Sequence, residues 1–347
     1  MAKPFAERLL AWYDDHGRKD LPWQQPRTPY RVWISEIMLQ QTQVATVIPY
    51  FERWMASFPD VTTLAAAPQD DILAHWSGLG YYARARNIHK AATTCVSEHG
   101  GQIPTDPQAL TALPGIGPST ANAIVSQATD RPAAVLDGNV RRVLARHSAI
   151  PGWIGSSSVQ KKLWKAAEER LPETRGADYT QAVMDLGALL CTRSKPVCGD
   201  CPVSSDCRAL LDNSVDLFPS PKPRARVGEK SICMLILRDD RGRVLLEKRP
   251  GAGIWGGLWS LPEGEEPAAV SASIGIRIGP SVSLPPVQHR LSHLKLDIRP
   301  VLSNQGHPAQ VQCSTERGWF DREQQKSLGL PKPVSDLLDR LDNGEFE

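Results

Sequence analysis

Four cysteines in one short segment are the residues of this chain best suited to bind a metal. Cys191, Cys198, Cys201 and Cys207 lie within the polar run CTRSKPVCGDCPVSSDC. Four thiolates this close in sequence can surround one polynuclear centre, because each loop lets the chain turn a sulfur inward. Zinc uses the same ligands, but its usual pattern is two separated Cys-x-x-Cys pairs, and only Cys198 and Cys201 form such a pair. The spacing therefore favours a [4Fe-4S] cluster over zinc, which remains the alternative.

Glu36 is a candidate general acid. It lies in VWISEIMLQQTQV, on a predicted helix face that it shares with Val32, Trp33 and Leu39. Burial among apolar side chains disfavours the ionised carboxylate, so we expect a raised pKa, as a general acid requires near neutral pH. The alternative is a structural carboxylate in a buried ion pair with an arginine.

Asp137 is a second carboxylate in a different local setting. It stands in VLDGNVRRVLARH, immediately before a predicted helix. Free amides and the helix dipole favour the ionised form there, so we expect Asp137 to stay anionic, although an ordinary N-cap has the same signature. A protonated acid and a retained anion are the pair that cleaves glycosidic bonds: one protonates the leaving group, and the other stabilises the cationic sugar.

A glycine turn between two predicted helices is a candidate phosphate site. In LPGIGPSTANAIVS, Gly115 and Gly117 allow close backbone approach, and Pro118 begins the second helix. The exposed amides at that helix start can bind an anion such as a backbone phosphate. The pattern is typical of a helix-hairpin-helix motif, but a plain helix–helix connection has the same form.

Two domains hold these motifs. The patterning is helical up to the segment FPSPKPRAR, which begins at Phe218 and whose prolines favour an extended spacer. Beyond it, alternating residues predict a β-hairpin at 232–247, and a final helix carries the stripe Val334, Leu337, Leu338 and Leu341. We predict an all-α domain at 1–217, with a six-helix subdomain at about 29–136 and a cluster subdomain at 1–28 and 137–217. A linker at 218–228 leads to an α+β domain at 229–347.

Composition excludes some classes of protein and leaves others open. The chain has 347 residues, 41% of them hydrophobic, and a net charge of +2. No apolar run approaches a membrane span, and three remaining cysteines are scattered singly, so we expect no membrane association and no disulfide framework. Bulk charge does not indicate a nucleic-acid partner, so that inference must come from local geometry. Because we find no targeting segment, we expect a cytoplasmic, bacterial, nucleoid-associated enzyme, with a monomer as the default.

Taken together, the cysteine spacing, LPGIG, LDGNVRRVLAR and SEIMLQQTQV resemble the MutY adenine DNA glycosylases of the endonuclease III superfamily. The resemblance covers essentially the whole chain. It implies a helix-hairpin-helix glycosylase domain with a [4Fe-4S] cluster loop, followed by a Nudix-like α+β domain. It also implies double-stranded DNA as the partner and removal of adenine mispaired with 8-oxoguanine or guanine, after the adenine is flipped out of the duplex.

The same resemblance implies roles for individual residues. Glu36 matches the acid that protonates adenine, and Asp137 matches the anion that stabilises the sugar, supported by Asn139. Further matches concern DNA contacts and the base pocket. Gln41 and Tyr82 match positions that wedge into the duplex, Gly115 and Gly117 the hairpin, Arg193 and Lys195 the phosphate-contacting cluster loop, and Trp23 and Asp185 the adenine pocket.

Ser119 distinguishes two kinds of relative. Relatives that also cut the strand carry a nucleophilic lysine at the position of Ser119, and a hydroxyl cannot form the Schiff base that drives elimination. We therefore predict a monofunctional glycosylase that leaves an abasic site, with Lys19 or Lys161 as sources of slow adventitious cleavage.

The C-terminal domain resembles the Nudix-like domain that these glycosylases use to inspect 8-oxoguanine. The loop GIWGGLWSLPEGE matches well, and HRLSHLKLDIRP places Ser292 and His293 at the oxidised base, with Leu291 in place of the usual aromatic residue. From Pro267 to Gly279 there is no acidic residue to hold magnesium, so we expect no nucleotide hydrolysis.

Two other functions fit parts of the sequence. One is a glycosylase for a different lesion on the same scaffold. The other is a non-catalytic iron–sulfur protein that binds DNA or senses redox state, in which Glu36 is structural.

Overall fold

The chain folds as two compact units in a computed structural model. The structure describes residues 3–223, 227–276, 278–291, 294–306 and 316–346, with only the backbone of 305 and 306. The first unit comprises Met1–Ala66 and Asn87–Arg224, and the second comprises Ala67–Arg86 and Ala225–Glu347. Residues 67–86, which we had placed in the helical domain, therefore pack with the C-terminal unit. None of the helices in the described ranges is long and apolar enough to cross a membrane.

The N-terminal two thirds of the chain is helical. In chain order the α-helices are α1 (Phe5–His16), α2 (Pro29–Leu39), α3 (Val44–Ser57), α4 (Val61–Ala66), α5 (Gln69–Trp76), α6 (Ala83–Glu98), α7 (Pro107–Ala112), α8 (Pro118–Thr129), α9 (Gly138–His147), α10 (Ser157–Glu168), α11 (Gly176–Asp185) and α12 (Arg208–Leu211). A π-helical turn, Leu186–Leu190, extends α11 to the first cysteine of the cluster loop.

Local sequence signals fix where the site-bearing helices begin. Thr28 caps α2 by accepting a hydrogen bond from the Arg31 amide, and Pro29 takes the first helical position. Asp106 caps α7 in the same way, through the amide of Ala109. A short polar side chain at the cap accepts a hydrogen bond from a free amide of the first turn. Proline is tolerated at the first helical position because the amide hydrogen that it lacks would have no partner within the helix.

The core of the first unit brings the two site-bearing regions together. The apolar stripe of α1 (Leu9 and Tyr13) packs in one cluster with residues of α9 and α11, including Leu144 and Val183. The helix α8 packs against both α2 and α11. The turn that precedes α9 is hydrogen-bonded to Ser119 and Asn122 of α8, so α8 holds both this turn and the helix that carries Glu36.

The second unit is a mixed sheet with apolar clusters on both faces. Besides α5, its elements are β1 (Gly228–Asp239), β2 (Val244–Lys248), β3 (Trp259–Ser260), β4 (Glu263–Gly264), α13 (Pro267–Ile274), β5 (Val282–Ser283), β6 (Val287–Arg290), β7 (Leu294–Gly306), β8 (Arg317–Phe320), α14 (Arg322–Lys326) and α15 (Lys332–Asp342). The central strand β1 pairs in parallel with β7 and forms the predicted antiparallel hairpin with β2.

Alternation along β1 assigns its side chains to two cores. Met234 and Ile236 join the cluster that contains Leu337 of α15, whereas Leu235 joins the cluster that contains Val270 of α13. Successive side chains of a strand point to opposite faces, so one strand builds both cores. The predicted all-α plus α+β architecture is confirmed.

Candidate active site and metal centre

Glu36 lies on the inward side of α2 and is held by one side chain of α8. The Nε2 of Gln127 donates a hydrogen bond of 2.9 Å to Oε1 of Glu36. Burial raises the pKa of Glu36 to about 7, and the negative charge of Asp137 adds to that rise, while the bond from Gln127 opposes it. Among the described residues, no basic side chain forms an ion pair with Glu36, so the structure does not support the ion-pair interpretation.

Asp137 is the N-cap of α9, as predicted. Its Oδ1 accepts a hydrogen bond of 2.7 Å from the amide of Val140. We expected the helix terminus to control its protonation, but burial is the larger influence and raises its pKa. The amides of Val140 and Asn139, together with the charge of Arg142, oppose this rise. Burial therefore disfavours the anionic form of Asp137, and the amide donors and the arginine charge favour it.

Ser119 holds the segment that leads to Asp137. Its Oγ accepts a hydrogen bond of 2.9 Å from the amide of Leu136. Asn122, one turn later in α8, donates to the carbonyl of Ala134 at 2.7 Å. The sequence identified Ser119 only by what it cannot do, whereas the structure gives its hydroxyl a positioning contact beside the candidate anion.

Asn139 is connected to the cysteine loop through Arg142. The Nη2 of Arg142 donates to Oδ1 of Asn139 at 2.8 Å and to the carbonyl of Gly187 at 2.6 Å, and its Nε donates to the carbonyl of Cys191 at 2.7 Å. A Cβ at Gly187 would lie 2.6 Å from Cβ of Asn139. The start of α9 and the chain entering the loop are therefore in direct contact.

The four cysteines line one pocket. The rest of its lining is largely apolar and includes Val143, Leu186, Leu190, Pro196, Val197 and Val203. Within the described ranges, no three His, Cys, Asp or Glu side chains lie close enough together to hold one metal ion. The structure brings all four cysteines to one pocket, and the kind of metal centre stays a prediction.

Burial and backbone amides have opposite effects on the cysteine thiols. Burial raises the pKa of Cys201 to about 11 and raises those of Cys198 and Cys207, so a bound cation must displace their protons. Backbone amides oppose this rise: that of Val203 at Cys201, and those of Leu210 and Ala209 at Cys207. Amides directed at sulfur stabilise thiolates, as an iron–sulfur site requires.

Comparison with known proteins assigns both units. Residues 34–169 match the family described as HhH-GPD superfamily base excision DNA repair protein, and residues 233–340 match the NUDIX domain family. The Adenine DNA glycosylase of Buchnera aphidicola subsp. Baizongia pistaciae is 37% identical over 340 residues, which are 97% of this chain and 96% of that protein. The chain belongs to the adenine DNA glycosylase family.

Solved structures agree with this fold. A thermostable thymine-DNA glycosylase is 27% identical with a TM-score of 0.53, covering 60% of this chain and 95% of that one. A non-covalent endonuclease III–DNA complex has a TM-score of 0.51 at 24% identity, covering 60% of this chain and 94% of that one, and supports the fold alone. The predicted family and its two-part architecture are confirmed, whereas the residue roles remain predictions.

The hairpin of this family member has the backbone that the sequence predicted. Gly115 adopts φ +81°, and a Cβ there would lie 2.8 Å from Cβ of Asn87. Gly117 is exposed, precedes Pro118 at the start of α8 and has open space where a Cβ would be. A larger residue is excluded at Gly115 by its neighbour, and Gly117 keeps the helix amides accessible.

Three other predicted DNA contacts lie on the surface. Gln41 is exposed, with φ +61°, at the turn between α2 and α3. Arg193 and Lys195 are exposed in the cysteine loop. All three are placed where a partner can reach them.

The structure contradicts the prediction for Tyr82. Its side chain is buried, at 8% exposure, and its hydroxyl donates to the carbonyl of Leu330 at 3.0 Å. The neighbouring Tyr81 is 50% exposed, with φ +50°. The sequence YY did not indicate which ring faces out, and the exposed ring of the pair is that of Tyr81.

The two residues predicted in the adenine pocket have different settings. Trp23 is buried, with its ring centroid 5.5 Å from that of Phe51 in an edge arrangement. Asp185 is wholly buried, and its oxygens accept from the amide, Nε and Nη2 of Arg18 and from Nε2 of Gln181. Through these four bonds Asp185 holds the N-terminal segment to α11, and its place in the adenine pocket stays a prediction.

Sequence reasoning missed Gln127 and Arg142. Gln127 is an amide at a buried position of α8, which was the available signal, and Arg142 is one of two adjacent arginines in α9 that the pattern does not distinguish. Ser292 and His293 lie outside the described residues. Leu291 is described and partly buried against the second unit's core, and α13 carries no carboxylate.

Proposed function

We propose that this chain is a monofunctional glycosylase that hydrolyses the N-glycosidic bond of adenine opposite 8-oxoguanine or guanine in duplex DNA. The observation that carries the proposal is Glu36, a carboxyl group whose pKa of about 7 is coupled to the charge of Asp137. A group with this pKa is protonated in a large fraction of molecules at neutral pH and can still give up its proton.

The proposed chemistry assigns one role to each carboxyl group. Glu36 protonates the departing adenine, and Gln127 orients its carboxyl through the 2.9 Å bond to Oε1. Asp137, held by the amide of Val140, stabilises the cationic sugar as the bond breaks. Asn139 supports this turn through its bond to Arg142. Because Ser119 offers a hydroxyl and no amine, no Schiff base forms, and the product is an abasic site.

DNA binding is proposed to use the exposed elements of both units. Amides at Gly117 bind a backbone phosphate, and Arg193 and Lys195 bind others. Gln41 and Tyr81 fill the space left when adenine leaves the stack, since unstacking a base costs a few kcal/mol. Trp23 is proposed to border the adenine pocket. The Nudix-like unit reads the opposite base, for which Ser292 and His293 remain predictions.

A [4Fe-4S] cluster is proposed at Cys191, Cys198, Cys201 and Cys207. When bound, it supplies a rigid brace for the cysteine loop. The cavity lined by all four sulfurs supports this assignment. Purified protein should contain about four iron atoms per chain and absorb in the visible range. One equivalent of zinc and no colour would contradict the assignment.

Single-turnover base release tests the activity. Adenine should leave duplexes in which it stands opposite 8-oxoguanine or guanine, more slowly from the guanine mispair, and should remain in an A:T duplex. The DNA strand should stay intact until alkali is added. No adenine release from any duplex would refute the activity, and strand cleavage as fast as base release would refute the monofunctional assignment. We also propose that the chain acts on DNA in the cytoplasm, since the named relative is a bacterial DNA glycosylase.

A further inference from the structure

The turn that carries Tyr81 is anchored to the C-terminal unit. Residues 67–86 belong to that unit although they stand far from it in sequence. Nζ of Lys248 pairs with Oδ1 of Asp70 at 2.6 Å, and the Tyr82 hydroxyl donates to the carbonyl of Leu330 at 3.0 Å. At the far end of the segment, Arg86 donates to the carbonyl of Gly256. The segment is therefore fastened to the Nudix-like unit at its beginning and its end.

The turn itself is braced from within. Nη2 of Arg84 donates to the carbonyls of Leu79 and Gly80 at 3.0 and 3.2 Å, and Nε1 of Trp76 donates to Gly80 at 3.0 Å. The Arg84 guanidinium also lies 5.1 Å from the centroid of the Trp76 ring and 5.6 Å from that of the Tyr81 ring. The exposed aromatic ring is thus presented by a fixed turn.

Tyr81 and Tyr82 lie on opposite sides of this turn. One ring is half exposed, and the other is buried with its hydroxyl bonded to the segment before α15. Since the two are adjacent in the chain, fixing the buried ring limits the directions that the exposed ring can take. We infer that Tyr82 is a positioning residue that presents Tyr81 to DNA, so that the unit proposed to read the guanine also carries the wedge.

This inference rests on the proposed function. It adds that the unit proposed to recognise the opposite base also positions the Tyr81 ring that enters the duplex. A side chain that is already ordered loses less conformational entropy on insertion than a mobile one. Tyr82→Phe removes the hydroxyl that donates to the carbonyl of Leu330 and accepts from the amide of Gly78 at 3.5 Å. We expect base release to slow about fivefold, which corresponds to about 1 kcal/mol.

The test is a double-mutant cycle in single-turnover release from the A:8-oxoguanine duplex. The variants are Tyr82→Phe, Tyr81→Ala and the pair together. If Tyr82 acts through Tyr81, Tyr82→Phe slows release about fivefold alone and less than about twofold when Tyr81 is already alanine. An equal loss in both backgrounds, or no loss in either, would overturn the inference.

Tyr30→Phe is the matched control. The Tyr30 hydroxyl is also buried and donates to a carbonyl, that of Phe58, at 2.7 Å, but in the first unit. Its effect on release, whatever its size, should be the same with and without Tyr81→Ala. Thermal unfolding of each variant establishes that it is folded before its rate is compared.

A binding readout separates this inference from the activity. A 2-aminopurine next to the 8-oxoguanine brightens when a ring disrupts the stack. Binding of the wild type and Tyr30→Phe should raise its fluorescence, Tyr81→Ala should abolish the rise, and Tyr82→Phe should reduce it. If the wild type releases no adenine, the proposed function fails, but the fluorescence still tests whether Tyr82 positions Tyr81. A full rise in fluorescence with Tyr82→Phe would refute the positioning role of Tyr82 and leave the proposed activity untouched.

Discussion

The interior of α2 and the N-terminus of α9 place a carboxyl group in opposite backbone settings. Around Glu36 the helix uses its own amides, and a side chain, Gln127, supplies the hydrogen bond. Around Asp137 the amides at the helix start are free, and Val140 donates one of them. Burial raises the pKa of both groups, but at Asp137 amides and arginines oppose it. This difference in opposing donors and charges is the physical basis for proposing Glu36 as the acid and Asp137 as the anion.

The largest effect is expected at the acid. Glu36→Gln keeps the shape of the side chain but cannot donate the same proton, so single-turnover adenine release should fall about a thousandfold or more. Glu52→Gln, the same change on the exposed face of α3, should leave release unchanged. Full activity of Glu36→Gln would mean that Glu36 is structural, as in the non-catalytic alternative.

Removal of the anion should be almost as damaging. Asp137→Asn keeps a good helix cap and removes the charge, so release should fall at least about a hundredfold while thermal stability changes little. Asp106→Asn makes the same substitution at the cap of α7, where Oδ2 accepts from Ala109 at 2.8 Å, and should preserve activity. If Asp137→Asn and Asp106→Asn were equally active, Asp137 would act only as a helix cap and not as the catalytic anion.

The comparison also predicts the pH profile. Glu36 must be protonated to act, so release should fall about tenfold per pH unit once pH rises above about 7. Asp137 must be ionised, so release should also fall as pH drops through its raised pKa. A rate that stays constant from neutral to alkaline pH would contradict the role of Glu36.

A smaller effect is expected from the contact that positions the anion. Ser119→Ala removes the acceptor of the Leu136 amide, so release should slow about fivefold, in line with the loss of one buried hydrogen bond. Ser97→Ala, which removes an exposed hydroxyl bonded to Thr94 in α6, is the control. A rate equal to wild type for Ser119→Ala would show that this bond does not position Asp137.

The smallest effect concerns Gln127. Its hydrogen bond favours the ionised form of Glu36, so Gln127→Leu should raise the pKa of Glu36 further. The alkaline fall in release should move to higher pH, while the rate at low pH changes modestly. If the alkaline fall in release moved to lower pH instead, the bond from Gln127 would favour the protonated form of Glu36, contrary to this prediction.

The sequence predicted those features that depend on local pattern. Caps and prolines located the starts of α2, α7 and α8, and alternation located the β1–β2 hairpin. Local signals also singled out Glu36, a carboxylate on an apolar helix face, and the four cysteines, by their spacing, and the roles of these residues stay predictions. These signals lie within a few residues of the groups that they describe.

What depends on distant contacts could not be predicted. Tyr81 and Tyr82 are adjacent residues of the same type, and the contact of the Tyr82 hydroxyl with the carbonyl of Leu330 comes from a distant part of the chain. Asp185 looked available until its pairing with Arg18, far away in the chain, was seen. The same holds for residues 67–86, whose place in the C-terminal unit follows from contacts such as Asp70 with Lys248.

The most direct test of the central claim is to observe the proton on Glu36. In a ¹³C NMR titration of protein labelled at glutamate carboxyl carbons, one resonance should titrate near pH 7, be absent from Glu36→Gln, and move to lower pH in Asp137→Asn as the neighbouring charge is lost. If every glutamate instead titrates near its ordinary value of about 4.3, Glu36 is ionised at neutral pH and cannot be the acid.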